Sequence, residues 1–369
     1  MASRNFENNQ QEYRPIPLEV PSVTGWKEIP IIENNEPLVA IGPFSGNEYG
    51  RIYTSSIYYG EREDSPYSRD QIKGALITSF ARQEVADQIL EAESNLPEGM
   101  HLIILDSFRT LDAQQSLYDN FYQKLKSQIS DVSDQELSEY TQKFVSIPST
   151  DTKKPSPHNT GGAIDVAIYK LPIMIESRVS EIDNRINEIG HDESSSDEVY
   201  KLEMERVGLI AQNAELLNFG TQWDFGGKES AISYFEILAE QRELTAEEED
   251  AKQNRRILYG VMKNAGFEAY SDEWWHFNST KSQMGAKSAG LPNAEFGAIN
   301  LTKDNWHHEL VRRQHLKGTE FLLRSPVHGI DKLGRHIVGM EIAQEAAIAI
   351  GDMRETSLPK AAVIEPPDL

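Results

Sequence analysis

The sequence predicts an α+β fold, and three observations carry that prediction. Two short apolar runs, 101–105 (HLIIL) and 163–168 (AIDVAI), have the length of buried strands. Helix-period stripes flank the first run: Val85, Ile89, Ala92 and Leu96 before it, and Leu111, Leu117, Phe121 and Leu125 after it. Further on, Ile175, Val179, Ile182, Ile186 and Ile189 are spaced 4, 3, 4, 3, which is a heptad seam.

Taken in order, residues 1–48 are rich in Asn, Pro and Glu and read as an N-terminal arm lying extended over the rest. A helix is expected from Phe80 to Leu96, stopped by Pro97-Glu98-Gly99. The strand 101–105 discharges into Asp106-Ser107-Phe108-Arg109-Thr110, where Thr110 can cap the next helix. A Pro/Ser/Thr loop covers 145–157. In the strand after Gly161-Gly162, Ile164, Val166 and Ile168 share one face, and Ala163, Asp165 and Ala167 share the other. Small residues around a single carboxylate are how a cleft floor reads.

Residues 174–217 read as an acidic helical hairpin, interrupted at 190–197 and resumed by Val199, Leu202, Leu209 and Leu216. Thr245 with Glu248 forms a capping box for another helix, which Gly266 ends. Phe267 to Asn278 is aromatic-rich and strand-like. A last helix is expected from His336 to Ile350 before a Pro-rich end. The domain reading is an arm at 1–48, a central domain at 49–285 with a helical insertion at about 174–217, and a C-terminal extension at 286–369.

Composition removes whole classes of function. Lys+Arg number 36 against 59 Asp+Glu, a formal charge of −23, which argues against a protein that grips the nucleic-acid backbone. Hydrophobic residues make up 38%, enough for a true core. Cysteine is absent, so disulfides, thiol nucleophiles and Cys-based metal sites are excluded together. Any metal must be held by His and carboxylates. With no apolar run long enough to cross a membrane and no apolar leader at the start, a soluble cytoplasmic chain is expected.

Two histidines keep unusual company. One stretch is Ser156-Pro157-His158-Asn159-Thr160-Gly161-Gly162-Ala163-Ile164-Asp165, and the other is Ser271-Asp272-Glu273-Trp274-Trp275-His276-Phe277. A hydrolytic zinc site uses about three protein ligands, an open position for water, and a carboxylate outside the ligand set to move protons. His158, Asp165 and His276 supply two imidazoles and a carboxylate, and Glu273 is a spare carboxylate beside a ligand. Arg109, at the end of a buried strand, is a fixed cation that could meet a developing oxyanion. Taken singly, His158 reads as a turn histidine, Asp165 as a solvated strand residue and Arg109 as a salt-bridge residue.

The first stretch fits S-x-H-x-x-G-x-A-x-D and the second fits E-x-W-H. Together they resemble the zinc D-Ala-D-Ala peptidase family, whose fold is shared with the hedgehog signalling domain. Within it, the chain looks most like the vancomycin-resistance-type D-Ala-D-Ala dipeptidases. Asp106-Ser107-Phe108-Arg109 is similar to their D-x-x-R block, and Phe219-Gly220-Thr221-Gln222-Trp223-Asp224-Phe225 to their M-G-T-x-F-D block. The resemblance implies a small sheet with flanking helices. It implies one zinc ion per chain on His158, Asp165 and His276, with Co²⁺ or Mn²⁺ able to use the same ligands. Glu273 would be general base and acid, and Arg109 would stabilise the tetrahedral intermediate. Ser156 and Asp224 would grip a dipeptide's ammonium, and Trp275 would pack beneath the metal. Phe219 and Trp223 depart from the block, and 55 positions separate Asp165 from Gly220 where the family has a short link.

Three rivals share these motifs: a D,D-carboxypeptidase or peptidoglycan endopeptidase with an open cleft, a non-catalytic module that keeps the zinc, and a scaffold assembled as a homo-oligomer through the hairpin. Retention of Glu273 argues against the module, which needs no base. Trp306-His307-His308-Glu309-Leu310-Val311-Arg312 imitates a zincin motif, but Arg312 stands where the second ligand belongs, so a solvated helix face is expected there.

Overall fold

The computed structural model describes residues 13–59, 72–142, 145–149, 151–190 and 196–316. In chain order the strands and α-helices are β1 (Leu38–Ile41), β2 (Tyr53–Thr54), β3 (Ser79–Arg82), α1 (Gln83–Ser94), β4 (Met100–Asp106), α2 (Leu111–Gln128) and α3 (Asp134–Thr141). They continue as β5 (Ala163–Lys170), α4 (Ile173–Ile189), α5 (Ser196–Asn213), β6 (Glu215–Leu216), α6 (Tyr234–Gln241) and α7 (Ala246–Asn264). The series ends with β7 (Phe267–Ala269), β8 (His276–Ser279), α8 (Gln283–Ser288) and α9 (Lys303–Leu316). The expected α+β class holds. The expected helix at 336–350 lies outside the described residues.

The main sheet runs β2-β4-β5-β8-β7, with β6 pairing the far end of β5. Only β2 and β4 pair in parallel; the other neighbours are antiparallel. β5 sits at the centre because every one of its apolar residues is buried. Ile164, Val166 and Ile168 share a core cluster with Val85 and Ile89 of α1 and Leu258 and Val261 of α7. Side chains of that size contribute roughly 1.5–3 kcal/mol each on full burial, so this cluster dominates the stability of the sheet.

Several local expectations hold for the reasons given. The Thr110 hydroxyl accepts from the Ala113 amide at the start of α2, and Thr245 with Glu248 closes a capping box on α7. Two expectations shift. The helix expected from Phe80 starts at Gln83, because residues 79–82 pair with β1 and bury Phe80 completely. The strand-like run 267–278 is a hairpin, β7 and β8 joined through a turn at 270–275.

The heptad seam is real, and its partner is internal. Val179, Ile182 and Ile186 are buried on α4, and Val179 joins the sheet's core cluster with Ile210 of α5 and Ala214 just beyond it. Arg206 of α5, 2% exposed, donates to Glu203, to Asp183 of α4 and to the Gly50 carbonyl. A buried guanidinium needs such partners, since an unpaired one would cost several kcal/mol. The hairpin is therefore part of the core and not a decoration upon it. Among the described residues, no helix is long and apolar enough to cross a membrane.

Candidate metal centre

Strand register assembles the centre. Asp165 of β5 stands opposite His276 of β8 on one side and opposite Asp106 of β4 on the other. Residues directly opposite in antiparallel strands project to the same face, so the three form a row across the sheet. A bulge makes the row possible. Ile104 faces Val166, the register slips at Leu105, and Asp106 takes the place opposite Asp165. Without the extra residue, Leu105 would stand there instead.

His158 arrives from a turn. Residues Pro157–Thr160 form a short 3₁₀ helix that ends at Gly161 with φ 69°. A side chain at Gly161 would strike Leu38, so only glycine lets the turn enter β5 at this angle. Glu273 stands in the turn just before β8, and the His276 amide donates to the Glu273 carbonyl at 3.3 Å. That turn brings the two side chains to one side, which a regular strand with this three-residue spacing could not do.

Three potential ligand atoms converge. His158 Nε2 lies 3.2 Å from His276 Nδ1 and 3.4 Å from Asp165 Oδ1, and His276 Nδ1 lies 2.9 Å from Asp165 Oδ1. All three residues are buried. The outer ring atoms settle which nitrogens face inward. His158 Nδ1–H donates to the Ser107 carbonyl at 2.8 Å, and His276 Nε2 is 3.3 Å from the Asn278 amide oxygen. In the tautomers that donate outward, two imidazole lone pairs and a carboxylate meet at one point. A cation satisfies all three. Their separations match the edges of about 3.3 Å expected for tetrahedral donors at roughly 2.0–2.1 Å from zinc.

The surrounding charges are ordered. Burial alone would raise the Asp165 carboxyl, but the two imidazoles prevail and hold it below the usual carboxylate range. Glu273 lies 3.9 Å from His276 Nδ1, with 30% of its side chain open. Burial of its carboxyl, helped by the charges of Asp165 and Asp224, pushes it up to about 8 against the pull of His276 and Arg109. Burial disfavours the Arg109 guanidinium, yet Asp106 overcomes this and keeps it firmly protonated. Asp106 Oδ2 accepts from Arg109 Nη2 at 2.6 Å and Nε at 3.0 Å. Gln114 accepts from Nη1 at 2.9 Å, and the guanidinium lies over the Tyr58 ring at 4.7 Å.

Ser156 is buried with its hydroxyl unpartnered, and Asp224 is exposed in a left-handed turn, φ 63°. Trp275 packs edge-on against Trp274 and tilted against Trp223, and its carbonyl accepts from the Val166 amide at 3.0 Å. Asn278, Gln114 and Tyr58 were not singled out in the sequence. Alternation along β8 could have found Asn278, two residues beyond His276 on the same face; nothing local marks the other two.

The His-Glu run at 306–312 is on α9, apart from this centre, and it corrects an expectation. Its face is not simply solvated: Glu309 is wholly buried and Arg312 nearly so. Among the described residues, His158, Asp165 and His276 alone form a group able to hold a metal.

An α+β fold with a buried His₂Asp group and an adjacent carboxylate defines a metallohydrolase-like class. Residues 212–291 match the model of the M15 peptidases, described as D-ala-D-ala dipeptidase. The chain is also 23% identical over 238 residues to a D-alanyl-D-alanine dipeptidase of Enterococcus faecium, covering 62% of this chain and 91% of that protein. The resemblance to the D-Ala-D-Ala peptidase family is thus borne out.

Proposed function

We propose that this chain is a zinc-dependent dipeptidase that hydrolyses D-alanyl-D-alanine to two D-alanines. The observation that carries the reading is the convergence of three potential ligand atoms beside a carboxylate outside that set, Glu273. His158, Asp165 and His276 would hold the ion. When bound, zinc would supply a Lewis acid and acidify water to near neutrality.

The chain's own groups then divide the work. Glu273 takes a proton from the attacking water and hands it to the leaving amine as the C–N bond breaks. A carboxyl poised well above its ordinary range suits both halves of that exchange, and a bound dication would draw it back toward the working pH. Arg109, clamped by Asp106 and Gln114, presents a fixed charge to the oxyanion without needing to reorganise. The unpartnered Ser156 hydroxyl and the Asp224 carboxylate are assigned to the substrate's ammonium. Trp275 supports His276 from the core.

The hedgehog-type description of the sheet, the cytoplasmic location and a role in cell-wall dipeptide metabolism belong to the same proposal. A homo-oligomer built on the hairpin would use its outer face, where Ile173 and Met174 are exposed, since the seam is spent internally. The direct test is to incubate the purified protein with D-Ala-D-Ala, with and without chelator, and to assay free D-alanine. Release abolished by chelator and restored by zinc is expected; no release from the zinc-loaded protein would overturn the reading.

A further inference from the structure

We propose that Glu309 of α9 is a positioning residue for the cleft, holding the wall that faces Arg109 and so setting the size of substrate admitted. The inference rests on the peptidase reading of the centre but concerns a segment beyond the family-matched residues 212–291.

Beside Arg109 lies a small, partly open pocket with room for a water-sized group. Ser56 and Tyr58 line one side, residues 106–110 another, and the stretch 74–79 forms the remaining wall. Most of that wall, 74–78, is irregular chain, so its amides and carbonyls find no partners in a strand ladder and must be satisfied individually. Thr110 Oγ1 donates to the Gly74 carbonyl at 2.8 Å, and the Ser56 hydroxyl donates to that of Leu76. The Ala75 amide donates to the Ile72 carbonyl at 3.2 Å, and α9 supplies three more bonds. Glu309 Oε1 accepts from the Ile77 amide at 3.1 Å, and Oε2 accepts from the Thr78 amide at 2.9 Å. Arg313 donates to Glu309 at 2.7 Å and to the Ala75 carbonyl at 3.2 Å.

Two arguments give this clamp a purpose beyond attaching a helix. Glu309 is completely buried, and burying a carboxylate costs several kcal/mol before compensation. The helix is already anchored elsewhere: Asn305 donates to the Leu38 carbonyl at 3.0 Å, and Arg312 to that of Pro43 at 2.6 Å. An apolar residue at 309 would fill the space without the desolvation cost, but only a bidentate acceptor can hold two consecutive amides. The second argument is continuity. Past Thr78 the chain enters β3, where the Phe80 amide donates to Ser107 Oγ at 3.1 Å and the Phe80 carbonyl accepts from Phe108 at 2.8 Å. Thus the clamped wall is bonded to the turn that carries Arg109 and supports His158.

The test uses the full-length, zinc-loaded protein with Glu309→Gln, Arg313→Ala and, as a control on the exposed face of the same helix, His307→Ala. Steady-state kinetics on D-Ala-D-Ala and D-Ala-D-Phe are measured with zinc content, Tm and amide hydrogen exchange over 74–80. In Glu309→Gln, KM for D-Ala-D-Ala should rise about tenfold with kcat little changed, as expected when one charge-assisted bond to the wall is lost. The preference over the bulkier dipeptide should narrow, and exchange should quicken within 74–80 while zinc content holds. Arg313→Ala should move the same way by less, and it carries the test if Glu309→Gln does not fold. His307→Ala should match the wild type. A lowered Tm with KM, selectivity and local exchange unchanged would reduce α9 to a structural brace and overturn the proposal. If the zinc-loaded wild type cleaves neither dipeptide, the peptidase reading fails. The exchange measurement then decides this inference alone: faster exchange confined to 74–80 upholds the clamp, and unchanged exchange removes it.

Discussion

Asp106 and Asp165 stand directly opposite one another on β4 and β5, two carboxylates on one face of the sheet. Like charges so placed repel, and the centre offsets this by giving each a cationic or proton-bearing partner. Asp165 meets the two imidazoles, while Asp106 holds Arg109 and reaches within 3.2 Å of His158 Nδ1. Asp106→Asn keeps the shape and removes the charge. It should retain zinc and lower kcat by about tenfold to a hundredfold, the range for losing a hydrogen bond to a charged group. Metal analysis with steady-state kinetics checks both halves.

Metal binding is the plainest consequence of the three converging donors. The purified chain should carry about one zinc, and His158→Ala and His276→Ala should each lose it, because two ligands seldom hold a structural or catalytic ion. Full metal content in both variants would remove the assignment.

Glu273 should behave differently from the ligands. Glu273→Gln should keep its zinc and lose roughly 10²–10⁴-fold in kcat, the usual worth of a general acid–base group. Rates near wild type would mean that another group moves the proton.

How much of this was legible in the residues themselves follows from what each inference required. Alternation in AIDVAI placed Asp165 on a face of small residues, and the two motif stretches named both histidines and Glu273. The bulge at Leu105 was not legible, because a period-2 reading assumes a regular strand. A helix is read from Phe80 because the stripe of Val85, Ile89, Ala92 and Leu96 follows it; the pairing of Phe80 with β1 depends on residues 40 positions away. Glu309 reads as part of a solvated helix face and Arg206 carries no mark, since nothing in their neighbourhoods reveals the distant amides and carbonyls that they satisfy. Long-range polar partners leave no local period to read.

His101 makes a pH-dependent joint between the hairpin and the body. Its Nδ1 lies 2.8 Å from Glu93 of α1 and its Nε2 2.6 Å from Glu176 of α4. Both nitrogens can donate only in the imidazolium form. Burial opposes that charge, but the two glutamates prevail and raise the group to about 9 from 6.5. The folded state therefore binds this proton more tightly than the unfolded chain does. Its stabilising contribution is complete below pH 6.5 and is lost as the pH rises through about 9. Denaturant unfolding should show wild type and His101→Gln separated at pH 6 and converging toward pH 10. A separation independent of pH would show that the imidazole acts only through packing.

The last prediction separates a dipeptidase from a carboxypeptidase. A cleft that closes on a two-residue substrate must strip water from its ammonium, and a buried unpaired charge is costly, so a carboxylate should meet it. Asp224 is the candidate: its charge is among those that raise the Glu273 carboxyl. Ser156 offers a buried hydroxyl with no protein partner, a state that costs roughly 1–3 kcal/mol until a ligand satisfies it. N-acetyl-D-Ala-D-Ala lacks the charge and adds bulk where the pocket ends. The loss should exceed what one methyl group causes, because the pocket's own polar groups are left unpaired. Cleavage of free D-Ala-D-Ala is expected, with very little of the acetylated form and none of a long peptidoglycan stem peptide. Asp224→Ala should raise KM for the free dipeptide and narrow its advantage over the acetylated one. Equal rates on both substrates in the wild type would exclude the closed dipeptidase cleft and favour a carboxypeptidase acting on longer chains.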